Sequence, residues 1–452
     1  MAGLASSTAF ANMTMALPTN PDVLVIGAGS AGIGAARRLM AEGRSVLVIE
    51  AADRIGGRAF TETDTFGVPY DQGCAWLQGP RSLPHMALAR EQGFTMVDHS
   101  RSNDAFYIGD RLATRGEKTQ YNAAFDAMWD AVWNAPDVSI ESVTPDVPFR
   151  AEALTWTAMG YGTDMMDVST TDMNSYIDFE VDYLIREGLG TIVKQLGADI
   201  PVKLNTAATL IDWSGEGVRV ETTDGTISAK ACIVTVSPGV LGAGGIRFVP
   251  ELPEEKQQAI SDVPMGLLTK VALQFDGERF GLTENDWLSY AIPQDLPAEA
   301  CYFVTFPTGV DLAVGFLGGQ FAWDMSAEGS EAAIDFALGE FAKVVGNDAK
   351  RHFVKGHMTD WHENPLTMGA YAAAKPGKHA SREVLKAPLG RRVFFAGEAV
   401  GVPLAALCSG AHLSGDSTAG LVHTLLKSSE DGCSSCNARG ADKGALQEAV
   451  GE

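Results

Sequence analysis

Hydrophobic positions cluster early in the chain. Asp22 is followed by four apolar residues, Val23-Leu-Val-Ile26, and then by the glycine-rich run Gly27-Ala-Gly-Ser-Ala-Gly32. A second short apolar run, Ser45-Val-Leu-Val-Ile49, ends on Glu50. An apolar strand running straight into a glycine-rich turn, followed by a second strand ending on an acid, outlines a dinucleotide-binding unit. Between them, about Ser30 to Glu42 predicts a helix. After Pro80 the pattern becomes helical, rich in Met, Trp and Ala, through about Gly190. Strand patterns return at Pro201–Leu204, Gly217–Thr222 and Thr226–Val236, with Asp224-Gly225 as a hairpin turn. Another strand runs from Thr269 to Phe275, and a last one from Arg392 to Ala396 leads through Gly397-Glu398 to a helix from about Ser409 to Leu426. No internal repeat is evident.

These patterns predict a mixed α/β chain. A Rossmann-type nucleotide-binding domain is assembled from three separated segments, 21–80, 191–250 and 386–426. An inserted α+β substrate-binding domain is assembled from 81–190 and 251–385. Residues 1–20, rich in Ala, Ser and Thr and without positive charge, read as a disordered leader rather than a signal peptide, and 427–452 as a flexible tail.

The first segment carries a dinucleotide fingerprint. Gly27 permits the tight turn, Gly29 lets a pyrophosphate approach the backbone, and Gly32 lets the helix pack close to the strand. The helix directs its positive N-terminal end at the phosphates. Glu50, twenty-three positions after Gly27, is placed to accept hydrogen bonds from a ribose and disfavours a 2′-phosphate. The ligand is therefore FAD or NAD rather than NADP. Behind Glu50, Gly56-Gly57-Arg58 allows a close backbone approach and offers a forked donor to a phosphate or a flavin edge. By itself that run reads equally as a glycine loop with a solvated arginine.

The stretch from Asp22 to Arg58 resembles the FAD-binding opening of the flavin-dependent amine oxidases, the family of monoamine oxidases, polyamine oxidases and flavin histone lysine demethylases. The resemblance extends to about Leu426 and is weakest over 81–190. It implies that Lys270, in Met265-Gly-Leu-Leu-Thr-Lys270, holds a water at flavin N5 and assists reoxidation; by patterning alone Lys270 reads as a solvated strand residue. It implies that Tyr371, in Trp361-His-Glu-Asn-Pro-Leu-Thr-Met-Gly-Ala-Tyr371, is an aromatic wall before the flavin, with Trp361 near the isoalloxazine. The position before that tyrosine is Ala370, not the cysteine that monoamine oxidases join to flavin, so the FAD is expected to be non-covalent. The second wall of the cage is replaced by Leu407. Asp71-Gln-Gly-Cys-Ala-Trp-Leu-Gln-Gly79 resembles the family stretch near the flavin and contributes Trp76; Gln78 stands where polyamine oxidases often have a histidine or acid, and adds no charge. Glu398 is implied to meet the cofactor near its ribityl–pyrophosphate portion, and Ala208 to meet the adenine through its backbone. The implied activity is oxidation of an amine to an imine, then to an aldehyde, with oxygen reduced to hydrogen peroxide.

Composition narrows the partners. With 452 residues and 46% hydrophobic content the chain can build two or three domains. A net charge of −23 argues against nucleic acid and acidic membranes, and no apolar run approaches the roughly 20 residues a bilayer span needs. The expected partners are a small amine and oxygen; a homodimer stays open. Six scattered cysteines suggest reduced thiols and a cytoplasmic setting, and Cys433-Ser-Ser-Cys436 has redox spacing without a βαβ context. His352, His357 and His362 recur every five residues, a spacing that converges on no metal from a helix or a strand, so no metal site is expected. The competing readings are an L-amino-acid oxidase, for which Arg81 is a candidate carboxylate partner, a desaturase of the same fold, and a flavin-binding interaction protein. A pyridine-nucleotide flavin reductase would need a second glycine fingerprint, which is missing.

Overall fold

The computed structural model describes residues 17–177 and 181–430. The Cys433/Cys436 pair and most of the expected leader and tail lie outside the described residues.

Five short parallel strands form the nucleotide sheet, in the order Val202–Lys203, Val46–Ile49, Val23–Ile26, Ala231–Val234, Val393–Phe395. Numbered in chain order the strands run 3-2-1-4-5, so the order reverses beside Val23–Ile26, as in doubly wound nucleotide-binding sheets. Val23 and Val25 face a core shared with the helices Ser30–Ala41 and Cys408–Glu430. Leu24 and Ile26 face the other way, onto a four-stranded sheet holding Ile211, Val220 and Ile227. Coverage on both sides is the reason these strands read as unbroken apolar runs. The final helix continues to Glu430, four residues past the expected end at Leu426.

The hairpin forms with Thr222 opposite Gly225, so its turn residues are Thr223 and Asp224, one position earlier than expected. The expected strand from Thr226 to Val236 is two strands: Gly225–Ala229 belongs to the four-stranded sheet and Ala231–Val234 to the nucleotide sheet. The chain changes sheets at Lys230, whose N–H is held by Asp22 O at 3.0 Å.

On the substrate side, seven strands run in the order Phe353–Met358, Leu268–Phe275, Leu312–Gly318, Tyr302–Thr305, Asp286–Tyr290, Asp104–Ile108, Arg111–Leu112. The region read as helical therefore supplies edge strands as well as helices. Its strands are short and marked by a few residues such as Asp104-Ala-Phe-Tyr-Ile108, too brief for periodicity to separate them from helix. The helices Arg115–Trp133 and Arg150–Tyr161 are as the pattern expects; the first begins with a capping box in which Thr114 and Glu117 satisfy each other's amides. Just after Pro80, the helix Pro84–Glu91 turns Leu83, Met86 and Ala89 into the core of the nucleotide sheet, so this segment packs there and not with the substrate side.

Both faces of Leu268–Phe275 are covered. Phe275 stacks on Phe341 of the helix Ser330–Val345, with centroids 5.1 Å apart, while Lys270 on the opposite face reaches the loop Asp71–Gly73. Among the described residues no helix is long and apolar enough to cross a membrane. The three spaced histidines diverge: His352 pairs with Asp276 at 3.0 Å, His357 sits edge-on to Phe66 and Tyr70, and His362 lies 3.8 Å from the Glu363 carboxylate.

Candidate active site

A single cavity of about 920 Å³ joins most of the residues singled out from sequence. Gly27, Gly29, Glu50, Gly57, Arg58 and Ala208 line one end; Lys270, Trp361, Tyr371, Glu398 and Leu407 line the middle; Trp76 and Gln78 lie toward the substrate side. Gly32 does not line it and acts through packing.

The nucleotide end is preorganised. Gly27 sits at φ +105°, open to glycine at no steric cost, and a Cβ on Gly32 would lie 1.9 Å from Gly27 O. The helix Ser30–Ala41 begins at Gly29 with no side-chain cap and no acid in its first turn. Its first amides therefore face the cavity unfilled, as an incoming pyrophosphate requires. Glu50 accepts from Ala28 N at 2.7 Å through one oxygen and from Ala52 N at 2.8 Å through the other, which fixes the carboxylate with lone pairs to spare for ribose hydroxyls. These features fit a dinucleotide, and they are the residues that would hold FAD.

Arg58 is more committed than its sequence suggests. One guanidinium nitrogen donates to Ala370 O at 2.7 Å and to Glu398 at 2.9 Å, and the second Glu398 oxygen accepts from Ala372 N at 3.3 Å. Through Nη1, Arg58 and Glu398 thus tie the glycine loop to the segment carrying Tyr371, and Arg58 also lines the cavity.

Lys270 is buried, not solvated. Its amine donates to Asp71 O at 2.9 Å and to Gly73 O, leaving one of the three N–H donors of the charged form for the cavity. Burial lowers its pKa to about 8, opposed by the nearby Asp71 carboxylate. Asp71 is itself raised by burial, with Lys270, Thr61 and the amides of Leu189 and Gly190 pulling it back. Trp361 donates from its indole to Gln72 O at 3.1 Å, and so braces the same loop. The Tyr371 hydroxyl donates to Met159 O at 2.9 Å, which fixes the ring as a wall; burial pushes its pKa up, and it stays a neutral phenol.

The substrate end contains residues that sequence reasoning missed. The strand Tyr183–Ile185 pairs antiparallel with Trp76–Leu77, with Leu77 opposite Tyr183. That register carries Asp182 alongside Gln78, whose amide donates to the Asp182 carboxylate. Asp182 places a carboxyl group beside Gln78 in the cavity wall. The backbone N–H of His99 donates to Asp182 O at 2.7 Å, and Trp76 donates from its indole to His99 Nδ1 at 3.2 Å. Burial lowers the His99 pKa, so the ring is neutral at neutral pH. Trp76 stacks on Trp287 at 5.6 Å, and Trp156 meets Trp287 edge-on at 4.7 Å. With Phe316 these rings form an aromatic sleeve in the cavity wall. Trp76 is thus part of this sleeve. Its partners lie far along the chain, so only the alternation around Trp287 in a strand could have hinted at them. Arg81 is exposed and does not line the cavity.

Known proteins place these observations. A family model described as flavin containing amine oxidoreductase matches residues 30–161 and 154–423. Polyamine oxidase 4 of Oryza sativa subsp. japonica is 27% identical over 439 residues, covering 87% of each chain. Lysine-specific histone demethylase 2 of Homo sapiens is 25% identical over 433 residues, 88% of this chain but 52% of that protein. Among solved structures, wild-type putrescine oxidase bound to putrescine has a TM-score of 0.73 at 23% identity, covering 89% of this chain and 98% of that one. Cyclohexylamine oxidase from Brevibacterium oxydans IH-35A gives 0.72 at 22%, covering 90% and 99%. The fold is shared with these oxidases, and the family match begins at Ser30 inside the glycine turn and takes in the lysine strand and most of the last helix: the chain belongs to the flavin-containing amine oxidoreductases and is an FAD-dependent enzyme of amine oxidation.

Proposed function

We propose that the protein is an oxidase of di- or polyamines, releasing an aldehyde, a smaller amine or ammonia, and hydrogen peroxide. The observation that carries the substrate class is the Gln78–Asp182 contact at the aromatic sleeve. A carboxyl group beside an aromatic sleeve suits a second, cationic nitrogen, while the reacting nitrogen must enter neutral.

Bound FAD supplies the two-electron acceptor and returns those electrons to oxygen. The chain's own groups do the rest. The Tyr371 ring, fixed through Met159, orients the reacting amine against the cavity. Trp156, Trp287 and Phe316 exclude water along the substrate's methylenes. Asp182 and Gln78 set how far the chain enters, and so which C–H bond is presented. Lys270, tethered by two carbonyls, directs its remaining hydrogen bond into the cavity. Ala370 offers no sulfur before Tyr371, which supports non-covalent FAD. The four described cysteines are free thiols, which supports a reducing, cytoplasmic setting. An amino-acid oxidase would need a cation for the substrate carboxylate, and exposed Arg81 does not meet that need.

The test is anaerobic loss of the yellow colour across monoamines, diamines, polyamines and amino acids, with peroxide followed on admitting air. Rapid bleaching by di- or polyamines, then peroxide, is the expected result. Bleaching by simple monoamines or amino acids in preference removes the substrate assignment, and bleaching without peroxide removes oxygen as acceptor.

A further inference from the structure

A second, smaller cavity of about 60 Å³ lies behind the wall of the first, where the seven-stranded sheet faces the paired strands Trp76–Leu77 and Tyr183–Ile185. The register of the large sheet explains its lining. Lys270 stands opposite Phe316, and Val304 opposite Val314. Alternate positions of a strand share a face, so Leu312, Val314 and Phe316 fall on the same side as Lys270 and Val304. Leu184 and Ile185 come from the facing strand.

The two ends of this cavity differ. Ala75, Trp76, Lys270 and Phe316 line both cavities and form the partition between them. The inner end therefore meets the Lys270 amine, whose Nζ lies 5.9 Å from the centre of the Phe316 ring. At the outer end Arg186 is exposed, and Pro307, Thr308 and Val310 are only half-buried. The turn at this mouth is held by the Thr308 N–H, which donates to Asn285 Oδ1 at 2.6 Å. A passage thus leads from the surface to Lys270 without crossing the aromatic sleeve.

Size and polarity decide what such a passage takes. A water-sized guest needs roughly 10–15 Å³, so the space suits a few very small molecules and not a chain of methylenes bearing a solvated ammonium. Val304, Leu312, Val314 and Leu184 offer no hydrogen bond, and apolar cavities of this kind stay dry and take up apolar guests such as xenon. Asp71, on the inner wall, is already engaged by Thr61 at 2.5 Å and by the amides of Leu189 and Gly190. Oxygen is diatomic, uncharged and apolar, and a lysine amine at the inner end favours the negative charge that oxygen acquires on reduction.

We propose that this second cavity is a dioxygen site, an apolar antechamber that delivers oxygen to Lys270 by a route separate from the amine's. No bond is made or broken within it. The assignment rests on oxygen being the electron acceptor, as in the proposed function.

Two measurements test it. In crystals of the FAD-loaded protein pressurised with xenon, density should appear among Val304, Val314 and Phe316; an empty space there would overturn the proposal. Val314→Phe fills the cavity and should abolish that density. Val310→Trp closes the mouth without adding bulk to the core, and decides the matter should Val314→Phe not fold. In solution, the bound flavin of each variant is reduced anaerobically with dithionite and mixed with oxygen in a stopped-flow cell. Reoxidation should slow by about tenfold or more, while anaerobic bleaching by the amine that reduces the wild type fastest stays within about twofold. Wild-type reoxidation in the folded variants would overturn the oxygen route and leave the oxidase reading intact. A wild-type flavin that stays reduced in oxygen removes the oxidase reading and the oxygen assignment with it.

Discussion

Replacing Lys270 with Met keeps the side chain's bulk and removes its amine. Burial lowers the lysine from 10.5 to about 8. At ~1.36 kcal/mol per unit that is roughly 3 kcal/mol against the charged form in the fold. Its hydrogen bonds to Asp71 O and Gly73 O return about 1.5–3 kcal/mol each, as expected for charged donors. The variant should therefore lose at most about 3 kcal/mol of stability and still fold and retain FAD. The loss in chemistry is larger in proportion. One charge-assisted hydrogen bond at the reacting centre, about 1.5–3 kcal/mol, corresponds to roughly a ten- to hundredfold change in rate. Stopped-flow spectroscopy separates bleaching by amine from recovery of colour with oxygen, and at least one should slow by that factor. The sign of the pH effect follows from the lowered pKa: the penalty is fully present below about pH 8 and relieved as pH rises from about 8 toward 10.5. A limb near pH 8 in the wild-type profile should be missing from the variant. Unchanged rates in both half-reactions at every pH would refute the reasoning.

Asp182→Asn keeps the partner of Gln78 but removes the charge, so KM for a diamine should rise about ten- to a hundredfold while a monoamine is little affected; equal effects on both in steady-state assays would remove Asp182 from recognition. Glu50→Gln weakens acceptors for the ribose, and should cost about 1–3 kcal/mol of FAD binding, read by flavin fluorescence on dilution. The buried Arg382 donates two bonds of 2.7 Å to Asp172, which also accepts from His379 and Ala374 N, and Arg382→Met should destabilise by about 3–5 kcal/mol in denaturant because it strands that carboxylate. Hydrogen bonds from Arg382 and His379 outweigh burial and hold the Asp172 pKa below its usual 3.8, so this stabilisation is present above that value and lost as pH falls below it. Wild-type stability should drop more steeply below pH 4 than that of the variant.

Legibility in this sequence follows the range over which each signal acts. The glycine turn, Glu50 and the strand Val23–Ile26 lie within thirty residues and report local geometry, so the nucleotide end could be assembled from the sequence. Lys270 and Tyr371 were found through their surrounding motifs, but their state was not: a strand pattern cannot tell a solvated lysine from one tethered to Asp71 O and Gly73 O, because the acceptors are backbone atoms some two hundred residues away. Arg58 shows the same limit, since its partner Glu398 decides whether its charge is spare. The substrate end was least legible. Asp182 gains meaning only from the pairing of Leu77 with Tyr183, and the sleeve only from Trp156, Trp287 and Phe316 meeting across three segments. Cofactor recognition is built from a contiguous turn, whereas amine recognition is built where the inserted segments converge. Specificity can therefore change by exchanging residues such as Gln78, Asp182 or Leu407 without disturbing the turn that holds the flavin nucleotide.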